Sequence, residues 1–387
     1  MLNSKKNMTV EIIGAGISGL TTAIALEKKG FKPRIYEQAK SLKPVGAGII
    51  LASNAMQVYR CLGLEQQIMS QGIPLNALNI TDGKLKVISK VDLNYFKQKY
   101  NLQSLAIHRG KLQQVLLDNL KHTEICLHHQ LKNITKHRAG YRLDFEDGQS
   151  VNSALLIGAD GIYSKVRETL FPKSKIRNMK QVCWRGVTKF ELPSVYKNEL
   201  NEAWGQGDRF AFVQFSQDQI YWYAVKSFKQ SEKEFSEENL NLYFKKYPPV
   251  VQEIIKATPA QTIHTTVMED LKPIKNWHDK FSCLIGDAAH ATTPNMGQGA
   301  CQSIEDAYIL AECLSKQNNL NAFKTYQKLR MPKAHQVVKQ SWQIGKISHW
   351  ENPVGIALRN TLIKLIPDKL NQVRLEKLFQ LEKMPHE

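Results

Sequence analysis

Residues 14–19 read Gly-Ala-Gly-Ile-Ser-Gly, between an apolar run from Met8 to Ile13 and an amphipathic segment from Ile17 to Lys29. This placement predicts a strand, a tight glycine turn and a helix. Gly14 permits the turn, Gly16 lets a pyrophosphate approach the backbone, and Gly19 allows close packing of helix on strand. The helix N-terminus, with Ser18 in its first turn, then offers amide donors and a positive dipole to phosphates. Lys32 to Tyr36 reads as a second strand, and Glu37 follows 18 residues beyond Gly19. A carboxylate there can accept the ribose hydroxyls of an adenosine half. A β-α-β start implies a parallel sheet with a right-handed crossover. The pattern points to a dinucleotide without separating FAD from NAD, and its competing reading is a chance glycine turn.

The rest of the chain narrows the class. Of its 387 residues, 42% are hydrophobic and 23% charged, an ordinary globular balance. The formal charge of +18 is carried by lysines scattered along the chain rather than gathered into a basic arm. With no zinc spacing or RNA-binding signature, it reads as a solvated surface and argues against nucleic acid. The six cysteines form no C-x-x-C pair, which predicts reduced thiols and no metal site. The apolar run at the N-terminus is too short for a signal-peptide core, and no later stretch reaches the roughly 18 apolar residues of a span. The expectation is a cytoplasmic protein without stable membrane insertion.

Further along, Leu155 to Gly158 and Cys283 to Gly286 read as short buried strands running into glycine turns. Gln298 to Leu314 and Leu320 to Gln340 are helical by period, and residues 231–249 read as a surface helix ending at Pro248. Val182 to Phe190, Arg209 to Phe215 and Ile220 to Phe228 are rich in aromatic and β-branched residues, predicting an antiparallel sheet inserted into an α/β domain. The first buried strand continues as Gly158-Ala159-Asp160-Gly161, with Ser164 placed to cap the next turn. The second continues as Gly286-Asp287-Ala288-Ala289-His290, then Pro294-Asn295-Met296-Gly297-Gln298-Gly299-Ala300 before a long helix.

These three elements, in this order, resemble the class A flavoprotein monooxygenases, the para-hydroxybenzoate and salicylate hydroxylase family. The resemblance covers the chain to about residue 340. Val45 to Ile49, Asn54-Ala55, Trp184-Arg185-Gly186 and Gly297-Gln298-Gly299 are similar to the salicylate hydroxylase, zeaxanthin epoxidase and FAD-dependent urate hydroxylase branch. It implies that Gly14, Gly16, Ser18, Gly19 and Glu37 bind the adenosine diphosphate half of FAD. Arg109 would reach the pyrophosphate or ribityl, and Asp160 would sit in a turn shared by FAD and NAD(P)H binding. Asp287 would hold the ribityl chain. Pro294, Gly297, Gly299 and Ala300 would face the flavin. A helix N-terminus there also suits an anionic reduced ring.

The implied activity is monooxygenation of a small, aromatic or heteroaromatic substrate, with NADPH or NADH reducing FAD and O₂ adding to give a flavin hydroperoxide. An antibiotic-modifying enzyme of the tetracycline-inactivating type or an epoxidase would share the scaffold. A flavin-binding redox sensor without turnover is the reading from another class. Gly205 to Arg209, followed by Tyr221, is similar to the urate hydroxylase pattern, where an arginine and a tyrosine sit near the substrate. Such an arginine could hold an anion and such a phenol orient a ring. Arg209 also reads as a strand-edge ion pair and Tyr221 as a core aromatic. His108 and His290 resemble general bases, although the family histidine at the position of His290 is structural.

The expected architecture is α/β. A Rossmann-like, GR2-type FAD-binding domain comprises residues 1–75, 102–178 and 268–340. A mixed or antiparallel substrate sheet takes 76–101 and 179–267, and a C-terminal helical segment 341–387. Gly46 to Gly48 and the Pro294 to Gly299 loop are candidate flexible walls. Pro353 to Leu365 is expected to pack on its own protein, with a membrane surface or a second subunit as alternatives. The protein would act as a monomer or homodimer.

Overall fold

The computed structural model describes residues 8–42, 47–228 and 239–382. Thr9–Ile13, helix Ile17–Glu27 and Lys32–Tyr36 form the expected β-α-β unit. They seed a five-stranded sheet, all parallel, in the order Ser282–Leu284, Leu156–Gly158, Thr9–Ile13, Lys32–Tyr36, Glu124–Cys126. Helix Ile17–Glu27 packs on this sheet, and so does a three-stranded antiparallel sheet, Leu131–His137, Gly140–Phe145 and Ser150–Ser153, whose Phe145 stacks on Tyr36 at 4.7 Å. The helix Ile17–Glu27 is buried over nearly its whole length, from Ile17 to Leu26, packed on the sheet and on helix Gly299–Lys316. The turns after three of these strands, at Gly14, Ala159 and Gly286, converge on one edge, the carboxyl ends where open α/β sheets bind ligands.

A seven-stranded mixed sheet stands beside it, in the order His264–Leu271, Ile176–Lys189, Gln219–Ser227, Asp208–Gln214, Glu199–Trp204, Ala77–Asp82, Val87–Asp92. Its pairs are antiparallel except that between Glu199–Trp204 and Ala77–Asp82. Strand alternation divides its side chains into two sets. Trp184, Phe210, Phe212, Trp222 and Ala224 enter a second core with Leu240, Phe244, Val251 and Ile254. Leu240, Val251 and Ile254 lie on the short helices Leu240–Tyr243 and Pro249–Lys256, and Phe244 directly follows the first. The expected surface helix ending at Pro248 is thus only the short Leu240–Tyr243 among the described residues; a proline-initiated helix replaces the stop. The opposite set includes Cys183, Tyr223, Val225 and Met268, packed with Met179, while Val213 and Phe215 join the main core.

The helix read at Leu320 to Gln340 extends over Asn319–Ile347, through Pro332. Helices Pro353–Lys364 and Asp368–Phe379 follow. The first of these packs on its own protein as expected, against strand Val87–Asp92, but it does so through buried Arg359 and turns Val354, Leu358 and Leu362 to solvent. The Arg359 guanidinium donates to the Ser348 carbonyl at 2.9 Å and to that of Ile347 at 3.4 Å, and lies 5.4 Å from the Trp204 ring centre. The surface beneath offers carbonyl oxygens and a π face, so it takes the cation. Among the described residues, no helix is long and apolar enough to cross a membrane.

Candidate active site

Gly14 stands at φ +104°, and a Cβ there would lie 2.5 Å from the Ala159 carbonyl oxygen. A Cβ on Gly19 would meet the Gly14 carbonyl oxygen at 2.0 Å. Both positions demand glycine because backbone passes backbone. Around Gly16 a Cβ would meet nothing within 4 Å, so this turn has open space in front of it. The Ser18 Oγ is buried without a partner in the protein and lies close to Gly286. An orphaned buried hydroxyl beside an open glycine turn fits a phosphate-bearing ligand.

Glu37 holds the far end of this groove. Its Oε2 accepts from Ala15 N at 2.8 Å and its Oε1 from Ala39 N at 2.9 Å. The carboxylate is aimed back at the glycine turn, and each oxygen keeps a lone pair for a ribose hydroxyl. The Arg109 side chain is exposed at the start of helix Arg109–Asp118 and close enough to Asp287 to act on its charge. Asp160 is used locally: Ser164 Oγ donates to it at 2.5 Å and Val166 N at 3.1 Å, while Ser164 caps helix Lys165–Leu170. Burial raises its carboxyl above the ordinary range against those bonds.

Asp287 follows Gly286 at the third turn. Solvent reaches its carboxylate, yet protein atoms crowd the groove around it, and that desolvation pushes it above the ordinary carboxylate range. Gly297 adopts φ +61°, letting the Pro294–Met296 turn reverse into helix Gly299–Lys316. That helix has 18 residues, and no side chain caps its N-terminus. Its free amides and dipole therefore face the groove at Gly299 and Ala300, and a Cβ on Gly299 would stand 4.0 Å from Asp287 Oδ1.

The two histidines serve the frame. His290 Nε2 lies 2.5 Å from Asp306 Oδ2 in the interior. Asp306 also accepts from Gly286 N at 2.9 Å and from Arg330 Nε at 2.8 Å. Burial works to raise its carboxyl, but His290 and Arg330 outweigh it and hold it low. His108 accepts from Gly110 N at 3.1 Å as the cap of helix Arg109–Asp118, with its ring 5.7 Å from that of Phe215.

On the substrate sheet, Arg209 and Tyr221 occupy opposite ends of one paired ladder: Arg209 faces Val225 in register, and Tyr221 faces Val213. Arg209 is 1% exposed, and its donors are taken by Glu202 Oε1 at 2.9 Å, His349 Nε2 at 2.9 Å and Asn295 Oδ1 at 2.6 Å. It is the ion-paired arginine of the two alternatives. Tyr221 packs against Gly48, where a Cβ would lie 2.5 Å from the Tyr221 Cβ. Its ring centre is 6.0 Å from that of Tyr223, whose hydroxyl donates to Glu202 Oε2 at 2.8 Å. Burial raises the Tyr221 phenol, opposed by Arg185, so it stays protonated near neutrality.

The sequence reading missed Glu202, His349 and Arg185 as site residues. Glu202 carried only a weak signal, an acid three residues after Glu199 in a strand of mixed polarity, Glu199–Trp204. His349 carried none, because it lies 140 residues from Arg209. In the first candidate flexible wall, Gly48 meets Tyr221 and Gly46 lies outside the described residues, while the second, Pro294 to Gly299, is the turn into helix Gly299–Lys316.

A family model described as an FAD binding domain matches residues 7–341. The aurachin C monooxygenase/isomerase of Stigmatella aurantiaca is 33% identical over 97% of this chain and 99% of its own. The 2-heptyl-3-hydroxy-4(1H)-quinolone synthase of Pseudomonas aeruginosa is 32% identical over 96% of this chain and 98% of its own. The crystal structure of Klebsiella pneumoniae HpxO complexed with FAD and uric acid superposes with a TM-score of 0.87, at 23% identity and over 96% of both chains, a shared fold. With the glycine turns, the orphaned serine and the acid-lined groove, these matches assign the chain to the FAD-binding family of class A flavoprotein monooxygenases, FAD-dependent enzymes of aromatic and heteroaromatic substrates.

Proposed function

We propose that this enzyme hydroxylates a 4-quinolone-type ring bearing an apolar substituent, with NADH or NADPH as reductant. One oxygen atom of O₂ enters the ring, and the other leaves as water with the two electrons of the nicotinamide.

The observation that carries this reading is the chemistry of the substrate-sheet wall. Arg209 is paired with Glu202 and its donors are all taken within the protein, so it is not the group that would clamp a carboxylate or urate anion. On the same face Cys183, Val225 and Met268 are buried with Met179 and Tyr223 packed against them, so the side chains around Arg209 are apolar rather than charged, a setting suited to an apolar group. Arg185 donates to Thr266 Oγ1 at 2.8 Å and stands beside the Tyr221 hydroxyl. Together these two would hold a ring carbonyl oxygen and orient the ring face. The two curated relatives that match over the full chain, one named for a 4(1H)-quinolone product, support the same substrate class.

FAD, when bound and reduced, supplies the activated oxygen. In this proposal Gly14, Gly16, Ser18 and Gly19 receive its pyrophosphate, and Glu37 its ribose. Arg109 and Asp287 hold the phosphate and ribityl portion. Pro294, Gly297, Gly299 and Ala300 form the flavin edge, where the helix amides stabilise negative charge on the reduced ring. Asp160 acts through the turn it braces. The apolar wall excludes water, which keeps the oxygenating step from being lost to peroxide release. Cytoplasmic residence, action as a monomer or homodimer, and the discontinuous domain division belong to the same proposal.

The test is O₂ uptake and NADH or NADPH oxidation by the purified enzyme, with product analysis. Substrates would be a 2-alkyl-4-quinolone, unsubstituted 4-quinolone, urate, salicylate and 6-hydroxynicotinate. The alkylated quinolone should stimulate oxidation most and yield a monohydroxylated product with little H₂O₂. Preference for urate or salicylate would overturn the assignment.

A further inference from the structure

Helix Pro353–Lys364 is inside out. Arg359 is its buried residue, while Val354 is 77% exposed, Leu358 55% and Leu362 54%. Leu365, just past its end, is 71% exposed and continues the same row at helical spacing. Helices of soluble domains do the reverse, turning the apolar stripe inward. Ile347 and Trp350 extend the ridge toward the preceding helix, and the Trp350 ring packs against the helix at Gly355. A contiguous exposed ridge of this kind marks a docking surface rather than scattered surface residues.

Charge identifies the occupant. Lys346, Lys364 and Lys369 are exposed along the ridge, and the chain carries +18 overall. A second copy would bring the same cations face to face. An anionic lipid surface would attract them, each cation near such a surface being worth about a fivefold gain in partitioning. A convex apolar ridge with lysines at its margins and an amphipathic tryptophan is the geometry of a helix lying in the bilayer interface. The helix is also fixed in place: Arg359 reaches carbonyl oxygens of the preceding helix and lies over Trp204 of the substrate sheet. We propose that Ile347, Trp350, Val354, Leu358, Leu362 and Leu365 form a peripheral docking ridge that seats the enzyme on anionic phospholipid bilayers. The inference stands independently of the substrate assignment.

The FAD-loaded, full-length protein would be sedimented with phosphatidylcholine vesicles with and without phosphatidylglycerol, at low and high salt. The wild type should partition onto the phosphatidylglycerol vesicles, less in high salt and less onto phosphatidylcholine alone. The L358E/L362E variant should lose at least about tenfold in partitioning, with FAD content and turnover of a soluble substrate unchanged. K364E/K369E, which keeps the ridge intact, should lose binding selectively to anionic vesicles and so serves if the leucine variant misfolds. A wild type that stays in the supernatant, or leucine and lysine variants that bind like it, would overturn the proposal. So would a wild-type dimer that does not bind vesicles and that L358E/L362E dissociates, since the ridge would then belong to a second copy.

Discussion

Arg209 donates from Nε to the Nε2 atom of His349 at 2.9 Å, in the interior between the substrate sheet and the C-terminal helices. A guanidinium cannot accept, so this imidazole nitrogen is unprotonated, and Nδ1 carries the proton toward Ser227 Oγ at 2.9 Å. Burial first, and then Arg209 and Arg359, push the His349 ring well below the ordinary histidine range. His335 is pushed down to about 4, chiefly by burial, with His290 and Lys339 adding to it.

The sign of the pH dependence follows. Both rings are neutral in the fold but become protonated below about pH 6.5 once unfolded. Unfolding therefore takes up protons, and stability drops as pH falls from about 6.5 toward about 4, by at most about 1.4 kcal/mol per pH unit for each ring. Denaturant midpoints across that range should be flatter for His335→Gln than for the wild type. Parallel slopes would remove His335 from the account.

Arg209→Ala should destabilise the fold, not merely slow turnover. It strands the Glu202 carboxylate and the His349 ring in a dry interior, a loss of about 3–5 kcal/mol when one partner of a buried pair is deleted. Removing Glu202 as well should recover part of that loss, because the double variant leaves no unpaired charge. Urea titration of both single variants and the double tests this. Strict additivity would mean the pair does not couple.

Gly14→Val should give a colourless protein. The added side chain meets the Ala159 carbonyl at a positive φ, so the two turns must separate at the groove proposed to take the pyrophosphate. Glu37→Arg should have the same effect, since it removes the acceptor tied to Ala15 N and Ala39 N. Flavin absorbance per mole of purified protein is the readout. Normal yellow protein from either variant would contradict the placement of the groove.

Local signals made the nucleotide half legible. The glycine turn, the apolar strands and Glu37 lie within one β-α-β unit, where spacing alone decides what meets what. Ser164 as a cap was readable for the same reason. The substrate half depended on pairing across the chain. The strand carrying Arg209 could be read, but whether Glu202 or a substrate anion takes its charge depends on which strand lies alongside. In helix Pro353–Lys364 the period revealed a helix but not its orientation, because an apolar stripe looks the same whether it faces protein, lipid or water.

Arg330 offers a last test of how frame and site connect. It is fully enclosed, donating to Asp306 Oδ1 at 2.8 Å, Glu305 Oε2 at 2.6 Å and Gln302 Oε1 at 2.7 Å. Lys333 bonds both Glu305 oxygens at 2.9 Å and the Gln380 carbonyl at 2.8 Å, tying in the C-terminal segment. Arg330→Met would leave two buried carboxylates with one fewer cation, again costing about 3–5 kcal/mol. The same Asp306 accepts from Gly286 N, immediately before Asp287 in the groove. If Asp306 shifts or takes up a proton, that turn loses its acceptor and Asp287 loses its alignment. Arg330→Met should therefore bind FAD more weakly even below its lowered melting temperature, while Lys333→Met, which has no bond to Asp306, should lose stability but keep its flavin. Flavin titration of both apoproteins separates the effects. Equal FAD affinity in the two would show that the network holds the fold without setting the groove.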